Sequence, residues 1–369
     1  MSTRCLLRLS ALALLVAAPG GAVQADGWPP RWSPAEGWTV APAASAQYDV
    51  LHADRDHGGV SADGFRRQRM AVNLAGPNGL AAKVEYDAVP GTWTDVFVRL
   101  RLGEHGRLRI GQGKTPMGLE ALTSHRHLTL LERSPMNALV PGRALGLEAG
   151  WAGGRRTLAV AAFDGTLNPE RRGPGLFART TWNWRQTDDD GHRLHLGLAA
   201  GTERPDGPVR LRGRPDVSGL PLVLADSGRL DGVARADRLG VEAAWDRGPF
   251  TVQAEHLWLR ARVPGRSHQA NGGYLMASWR PGGESRRYRD GVFEGISPGR
   301  RAGAWEFSLR AARLAVEDAA QARQSGHSYA LAASWLLPAS LRITAQVGRG
   351  HHAGGGTDTV QGVRVHGWF

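Results

Sequence analysis

TDVFVRLRLGEHGRLRI, Thr94 to Ile110, decides the fold. Thr94, Val96, Val98, Leu100 and Leu102 alternate with Asp95, Phe97, Arg99 and Arg101. After a turn at Gly103 to Gly106, Leu108 and Ile110 alternate with Arg107 and Arg109. A strand sends successive side chains to opposite faces, so one face here is aliphatic and the other carries charge. In a barrel embedded in lipid the aliphatic set points outward and the polar set lines the bore. A soluble β-sandwich built from such strands would have a very poor core, because its inner positions would be polar.

The pattern recurs along the chain. Leu341, Ile343, Ala345 and Val347 alternate with Arg342, Thr344 and Gln346, and Val363, Val365 and Phe369 alternate with Arg364 and His366. Near Arg313 and Leu314 no single parity holds. Sixteen segments begin near residues 44, 65, 79, 93, 107, 145, 156, 176, 192, 235, 250, 272, 303, 327, 340 and 361. The fold class expected is therefore all-β, a transmembrane antiparallel β-barrel of 16 strands, each about 9 to 11 residues long. An even strand number puts both ends of the wall on one side.

Turns then divide between the two rims. Short ones fall at 76–78, 103–106, 152–155, 186–191, 246–249 and 337–339, on the periplasmic side if the chain starts there. Longer ones fall at 53–63, 113–144, 164–174, 201–233, 261–270, 317–325 and 349–360, with a short external turn at 88–91. One segment, Pro281 to Ala302, is periplasmic by this count yet as long as an external loop. Trp151, Trp182, Trp184, Trp245, Trp279, Trp335 and Trp368 lie near strand ends, where amphipathic rings settle at the headgroup boundary.

Gly111 to Glu148, GQGKTPMGLEALTSHRHLTLLERSPMNALVPGRALGLE, interrupts the strands with a long Pro/Gly-punctuated connection that looks like an inward-folded constriction loop. Its parts GKTPMGLE (Gly113 to Glu120), LTSHRHLTLLERS (Leu122 to Ser134) and PGRALG (Pro141 to Gly146) resemble the phosphate-selective porin O/P family of bacterial outer-membrane channels. ESRRYRDGVFEGISPGRRAGAWEF, Glu284 to Phe307, resembles another part of it. The resemblance spans most of residues 44 to 369. It implies an outer-membrane porin, a homotrimer, a periplasmic turn that folds up into the lumen, and phosphate or a related anion bound by a row of pore-lining arginines with a lysine at the constriction. Lys114 is the lysine nearest the family motif.

Charge carries the functional reading. Inward parity falls on Arg67, Arg69, Lys83, Arg99, Arg101, Arg107, Arg109, Arg179, Arg185, Arg193, Arg238, Arg310, Arg342 and Arg364. The inward acids are half as many: Glu85, Asp87, Asp95, Glu148, Glu242, Glu255 and Glu306. A low-dielectric wall focuses such a field and concentrates anions. Lys114, Arg126, Arg133 and Arg143 add to it from the first long segment, and Arg286, Arg287, Arg289, Arg300 and Arg301 from the second. Glu120, Glu132, Glu284, Asp290 and Glu294 oppose them. The candidate anion-binding set is Arg67, Arg69, Arg99, Arg101, Arg107, Arg109, Lys114, Arg126, Arg133, Arg143, Arg286 and Arg287. Only Lys83 and Lys114 of the 46 basic residues are lysines, so genomic base composition is a competing source of the arginine bias. A general diffusion porin of weak selectivity, a non-conducting barrel and a lipolytic barrel stay open as alternatives.

Other chemistry finds little support. Gly113-Lys114-Thr115 ends like a P-loop, but Leu108 occupies the place of its first glycine and a strand precedes it. His125 and His127, or His351 and His352, lack a helically spaced carboxylate to complete a metal site. Asp188-Asp189-Asp190 reads as a solvated acidic turn, with weak calcium binding as the sharper alternative. Ser328 and His327 are adjacent, so strand geometry sends them to opposite faces and argues against a Ser–His enzyme. No cofactor is expected.

Residues 1–25 read as a cleaved export signal: Arg4 and Arg8, an apolar run from Leu9 to Ala18, and a small-residue site at Val23-Gln24-Ala25. Cys5 leaves with it, so the mature chain has no thiol. Residues 26–43, with prolines at 29, 30 and 34, read as an irregular periplasmic leader. The terminal Phe369 is expected to engage the barrel-assembly machinery.

Overall fold

β-Branched and leucine side chains at every second position drive the chain into long hairpins. The computed structural model describes residues 29–55, 58–185, 192–299, 301–352 and 354–369. The export signal, the acidic turn at Asp188 to Asp190 and Arg300 lie outside the described residues.

The first eight wall strands are β1 (Thr39–Arg55), β2 (Gly58–Ala75), β3 (Ala81–Asp87), β4 (Thr92–Leu102), β5 (Gly106–Lys114), β6 (Arg143–Gly153), β7 (Arg156–Phe163) and β8 (Gly175–Arg185). The other eight are β9 (Arg193–Glu203), β10 (Arg235–Arg247), β11 (Phe250–Val263), β12 (Arg266–Trp279), β13 (Ala304–Glu317), β14 (Arg323–Leu337), β15 (Leu341–His351) and β16 (Thr357–Trp368). Each pairs antiparallel with its neighbours, and β1 against β16, from Ser45 opposite Trp368 to Asp54 opposite Thr359, closes the barrel. The expected strand count and order are found.

The differences have physical causes. β1 begins at Thr39, so residues 39–43 of the expected leader stand in the wall. Strand lengths run from 7 residues in β3 to 18 in β2, a wider range than expected. The connections expected at 53–63 and 261–270 are mostly strand, since β1 reaches Arg55, β2 begins at Gly58, and β11 and β12 meet at Val263 and Arg266. Strands that rise above the lipid need no apolar outer face, so their polar residues imitate loop.

Thr94 leaves the outward set to which its parity assigns it. A bulge in β4 sets Thr94 and Asp95 against the single residue Glu85 of β3, since Val96 pairs with Val84 and Trp93 with Tyr86. As a result Thr94 is buried and donates its hydroxyl to Glu85 Oε1 at 2.6 Å. Trp368 shares the parity of Arg364 and His366 and faces the interior, so it does not join the headgroup band. Trp151, Trp182, Trp184, Trp245, Trp279 and Trp305 are exposed near the periplasmic ends of their strands, and Trp305 stacks on Trp335 at 5.8 Å.

Arg313 and Leu314 broke the parity test because the bore is not uniformly wet. Leu314 is 0% exposed and points inward, while Arg313 is exposed on the outer wall. Leu314 belongs to an interior apolar cluster with Met117, Leu130, Met136, Leu139, Leu211, Leu224, Leu230, Leu257, Leu259 and Met276. It forms where residues 115–142 and the external loop 204–234 pack on the inner faces of β10 to β13. A fully buried side chain of this size contributes about 1.5–3 kcal/mol, so the cluster holds a substantial plug on one side of the lumen.

Candidate functional site

The loop at 115–142 leaves the wall after Lys114, the last residue of β5; three residues earlier Gly111 has a φ of +123°, and its missing Cβ would lie 2.3 Å from the Val96 carbonyl. Only glycine fits that position in the strand. The loop's helical turn α1 (Leu119–Leu122) is clamped at both ends by wall residues. Glu255 on β11 accepts from the N–H groups of Leu119 and Glu120, both at 2.7 Å. Lys114 at the end of β5 donates to the carbonyls of Ala121, Leu122 and Thr123 at 2.7, 2.9 and 3.1 Å. A carboxylate at the helical N-terminus and a cation at the C-terminus both match the peptide dipoles. The ammonium of Lys114 has three protons, so all of them are committed.

Beyond the helical turn, wall arginines fasten the loop. Glu132 accepts from Arg66 Nε at 2.8 Å, Arg67 Nη2 at 3.1 Å and Arg364 Nη2 at 2.9 Å. Burial alone would raise the Glu132 carboxyl, but Arg67, Arg66 and Arg364 outweigh it and hold it well below its ordinary range. Arg310 grips Glu120 of the inner loop and Asp216 of the external loop. Arg238 donates to the Leu139 carbonyl at 2.8 Å, and Arg342 and Arg364 donate to the carbonyls of Leu128 and Leu131. These contacts satisfy backbone groups that a buried loop would otherwise leave orphaned.

The periplasmic segment 281–303 approaches the inner loop. Arg280, fully buried at its base, bonds the Glu284 carbonyl at 2.7 Å and Thr251 at 2.9 Å. Farther along, Arg286 donates to the His127 carbonyl at 2.9 Å, Arg179 to the Gly291 carbonyl at 2.7 Å, and Arg107 to Asp290 at 3.1 Å. Phe293 is buried between Leu119 and Ala244. Two segments therefore meet inside the barrel and crowd the bore toward β2 to β5.

There lies a cavity of about 510 Å³, lined by seven basic side chains (Arg69, Lys83, Arg109, Lys114, Arg126, Arg133 and Arg143) against two carboxylates, Glu85 and Asp95. Several of these charges are partly spent. Arg143 meets Asp95 at 2.7 Å, Arg109 meets Glu148 at 2.9 Å, Arg69 meets Asp87 at 2.9 Å, and Lys83 meets Glu85 at 2.8 Å. Arg133 donates to the carbonyls of Glu120 and Thr123, and burial lowers it to about 10, so it is charged at neutral pH. Among the described residues the Arg126 guanidinium has only a 3.4 Å contact to the Ala44 carbonyl and is the least committed cation of the group. His127 beside it is pushed down to about 3 by burial and then by Arg342, Arg286 and Arg287, so it is neutral there.

Toward the periplasm the same wall carries like charges directly opposite one another, Arg99 across from Arg109 and Arg101 across from Arg107. Such pairs destabilise a sheet unless water or an anion lies between them. Among the described residues Arg99 has no hydrogen bond or ion pair. Arg101 donates to its own turn at the Gly103 carbonyl, 2.9 Å.

The candidate set thus divides. Arg69, Arg109, Lys114, Arg126, Arg133 and Arg143 line the cavity, with Arg99, Arg101 and Arg107 below it. Arg67 and Arg286 are buried loop fasteners, and Arg287 is exposed on the periplasmic segment. Sequence parity missed Arg280, Asp216 and the anchoring role of Glu132, because no periodic signal says which loop carboxylate meets which wall arginine. Among the described residues no three His, Cys, Asp or Glu side chains gather as a metal site requires.

A family model described as phosphate-selective porin O and P matches residues 43–366. Porin O of Pseudomonas aeruginosa is 35% identical over 85 residues, which cover 21% of this chain and 19% of that protein's length. In three dimensions the barrel is similar to OmpT, an outer membrane protein of Vibrio cholerae, with a TM-score of 0.59 at 10% identity, covering 91% of this chain and 98% of that one. OmpT is also known in a trimer form. An anion-selective porin from Comamonas acidovorans superposes with a TM-score of 0.57 at 15% identity, covering 90% of this chain and all of that one.

Proposed function

The chain belongs to the phosphate-selective porin O and P family, a porin barrel of the bacterial outer membrane, and from its basic cavity we infer that it passes small anions by passive diffusion. One observation carries this reading: the cavity left open by the plug is lined by seven basic side chains against two carboxylates, and below it Arg99 and Arg101 stand directly opposite Arg109 and Arg107. A low-dielectric wall around such charge raises the local anion concentration and repels cations. The planar fork of arginine matches phosphate and carboxylate oxygens, and Arg126 and Arg99 have donors free for the purpose.

Phosphate or polyphosphate is the substrate class this reading favours, on the strength of family membership and guanidinium geometry. We read the barrel as a channel rather than an enzyme, assembled as a homotrimer like the OmpT trimer form, exported by residues 1–25 and inserted through recognition of Phe369. In planar bilayers under a potassium chloride gradient, the reversal potential should lie on the anion side, and millimolar phosphate should block chloride current. A cation-selective reversal potential would overturn the reading. Anion preference without phosphate block would support weak general selectivity, which the many arginine–carboxylate pairs favour as a second reading.

A further inference from the structure

The outer wall carries a basic site that the pore does not use. On β13 the outward residues Trp305, Phe307, Leu309 and Ala311 are followed by Arg313, and on β14 Trp335, Ala333 and Leu331 are followed by Tyr329 and His327. Arg313 stands about eight residues above Trp305, roughly 27 Å along the strand at ~3.4 Å per residue. With a tilt near 40° that is a height of about 20 Å, close to the outer edge of an apolar band about 25 Å tall. The level is that of headgroups in the external leaflet.

There His256, Arg313, His327 and Tyr329 rim a concavity of about 410 Å³. Gly273 forms its floor, opposite both His256 and Arg313 in register. A Cβ on Gly273 would lie 2.7 Å from His256 Nδ1 and 2.7 Å from the Glu255 carbonyl, so any side chain there would displace the imidazole. Arg313 is exposed, and among the described residues it has neither a hydrogen bond nor an ion pair; Arg349, beside Tyr329 in register, has none either. A guanidinium left without a counter-charge against lipid is unfavourable, and a phosphate at this depth satisfies its fork.

We propose that this cradle holds the phosphate of a phosphorylated lipid in the external leaflet, with Arg313 as the anchoring cation and His256, His327 and Tyr329 as further hydrogen-bonding groups. The test uses the full-length barrel in nonionic detergent, with bisphosphorylated lipid A as probe and native mass spectrometry as readout. Retention should fall about tenfold, equivalent to about 1.4 kcal/mol, in the R313A/H327A double variant and with dephosphorylated lipid A, while Arg126→Gln leaves it unchanged. Millimolar inorganic phosphate should not displace the lipid. Equal retention by a double variant that still shows the heat-shifted mobility of a folded barrel would overturn the proposal. So would displacement by inorganic phosphate, or covalent capture of a second copy of the chain through an Arg313→Cys variant.

Discussion

The inner faces of β2 to β5 and of β10 to β14 begin with similar inward arginines and end with different tasks. On the first, Arg69 and Arg109 line the open cavity, Arg99 is exposed below it, and like charges face one another across neighbouring strands. On the second, Arg238 and Arg310 lie beneath folded loops and are consumed by Leu139, Glu120 and Asp216. A charge in the lumen serves permeation only where no loop covers it. Where one does, the same side chain becomes a fastener, and burial makes its loss costly.

Breaking a fastener should have the largest effect. Glu132→Gln leaves Arg66 and Arg67 without a counter-charge and Arg364 with Asp49 alone, at a cost of about 3–5 kcal/mol for a broken buried pair. The heat-dissociation temperature should drop and single-channel current should become larger and noisier; wild-type heat resistance would dissolve the distinction between the two walls. Acid should act in the same direction. Glu132 is depressed below its ordinary 4.5, so its stabilisation is complete above that pH and fades as pH falls toward the depressed value. His127 is depressed from 6.5 to about 3, so it too disfavours the packed loop increasingly below 6.5. Conductance recorded from pH 7 down to pH 3 should rise and recover on neutralisation, and a flat profile would count against the latch.

Lys114 tests the boundary between the two roles, because it lines the cavity yet gives every proton to the loop. Lys114→Met should orphan the carbonyls of Ala121 and Leu122, the Thr123 carbonyl keeping Arg133, at about 1–3 kcal/mol for each group left unsatisfied, and shift gating more than selectivity. If instead phosphate block disappears while gating stays normal, the lysine is an anion ligand after all. The smallest expected change is in permeability itself. Arg126→Glu should lower the anion-to-cation ratio several-fold, on the scale of about 1 kcal/mol for one charge pair at ~4 Å in water. Arg238→Gln, beneath its loop, should leave the reversal potential almost unmoved.

The distinction between wall and bore was legible from residues such as Val98 against Arg99, because period-two alternation is a local property that each strand carries alone. The failures were local too. Thr94 was misassigned because a bulge in its own strand, visible only against the register of β3, breaks the period of two, and Trp368 because nearness to a strand end says nothing of which face a ring occupies. Arg313 and Leu314 were unreadable for a different reason, since an apolar inward residue makes sense only once a loop is known to cover it.

By itself, then, the sequence determined the closed antiparallel barrel, its strand number, its polar bore and its two long intrusions, all of which follow from hydrophobic period and turn chemistry along the chain. Tertiary structure alone decided which arginines remain available. That outcome depends on carboxylates such as Glu132 and Asp216, which lie far along the chain from Arg364 and Arg310 and meet them only when the loops fold inward. Coulombic pairing acts through space, and no periodicity encodes it.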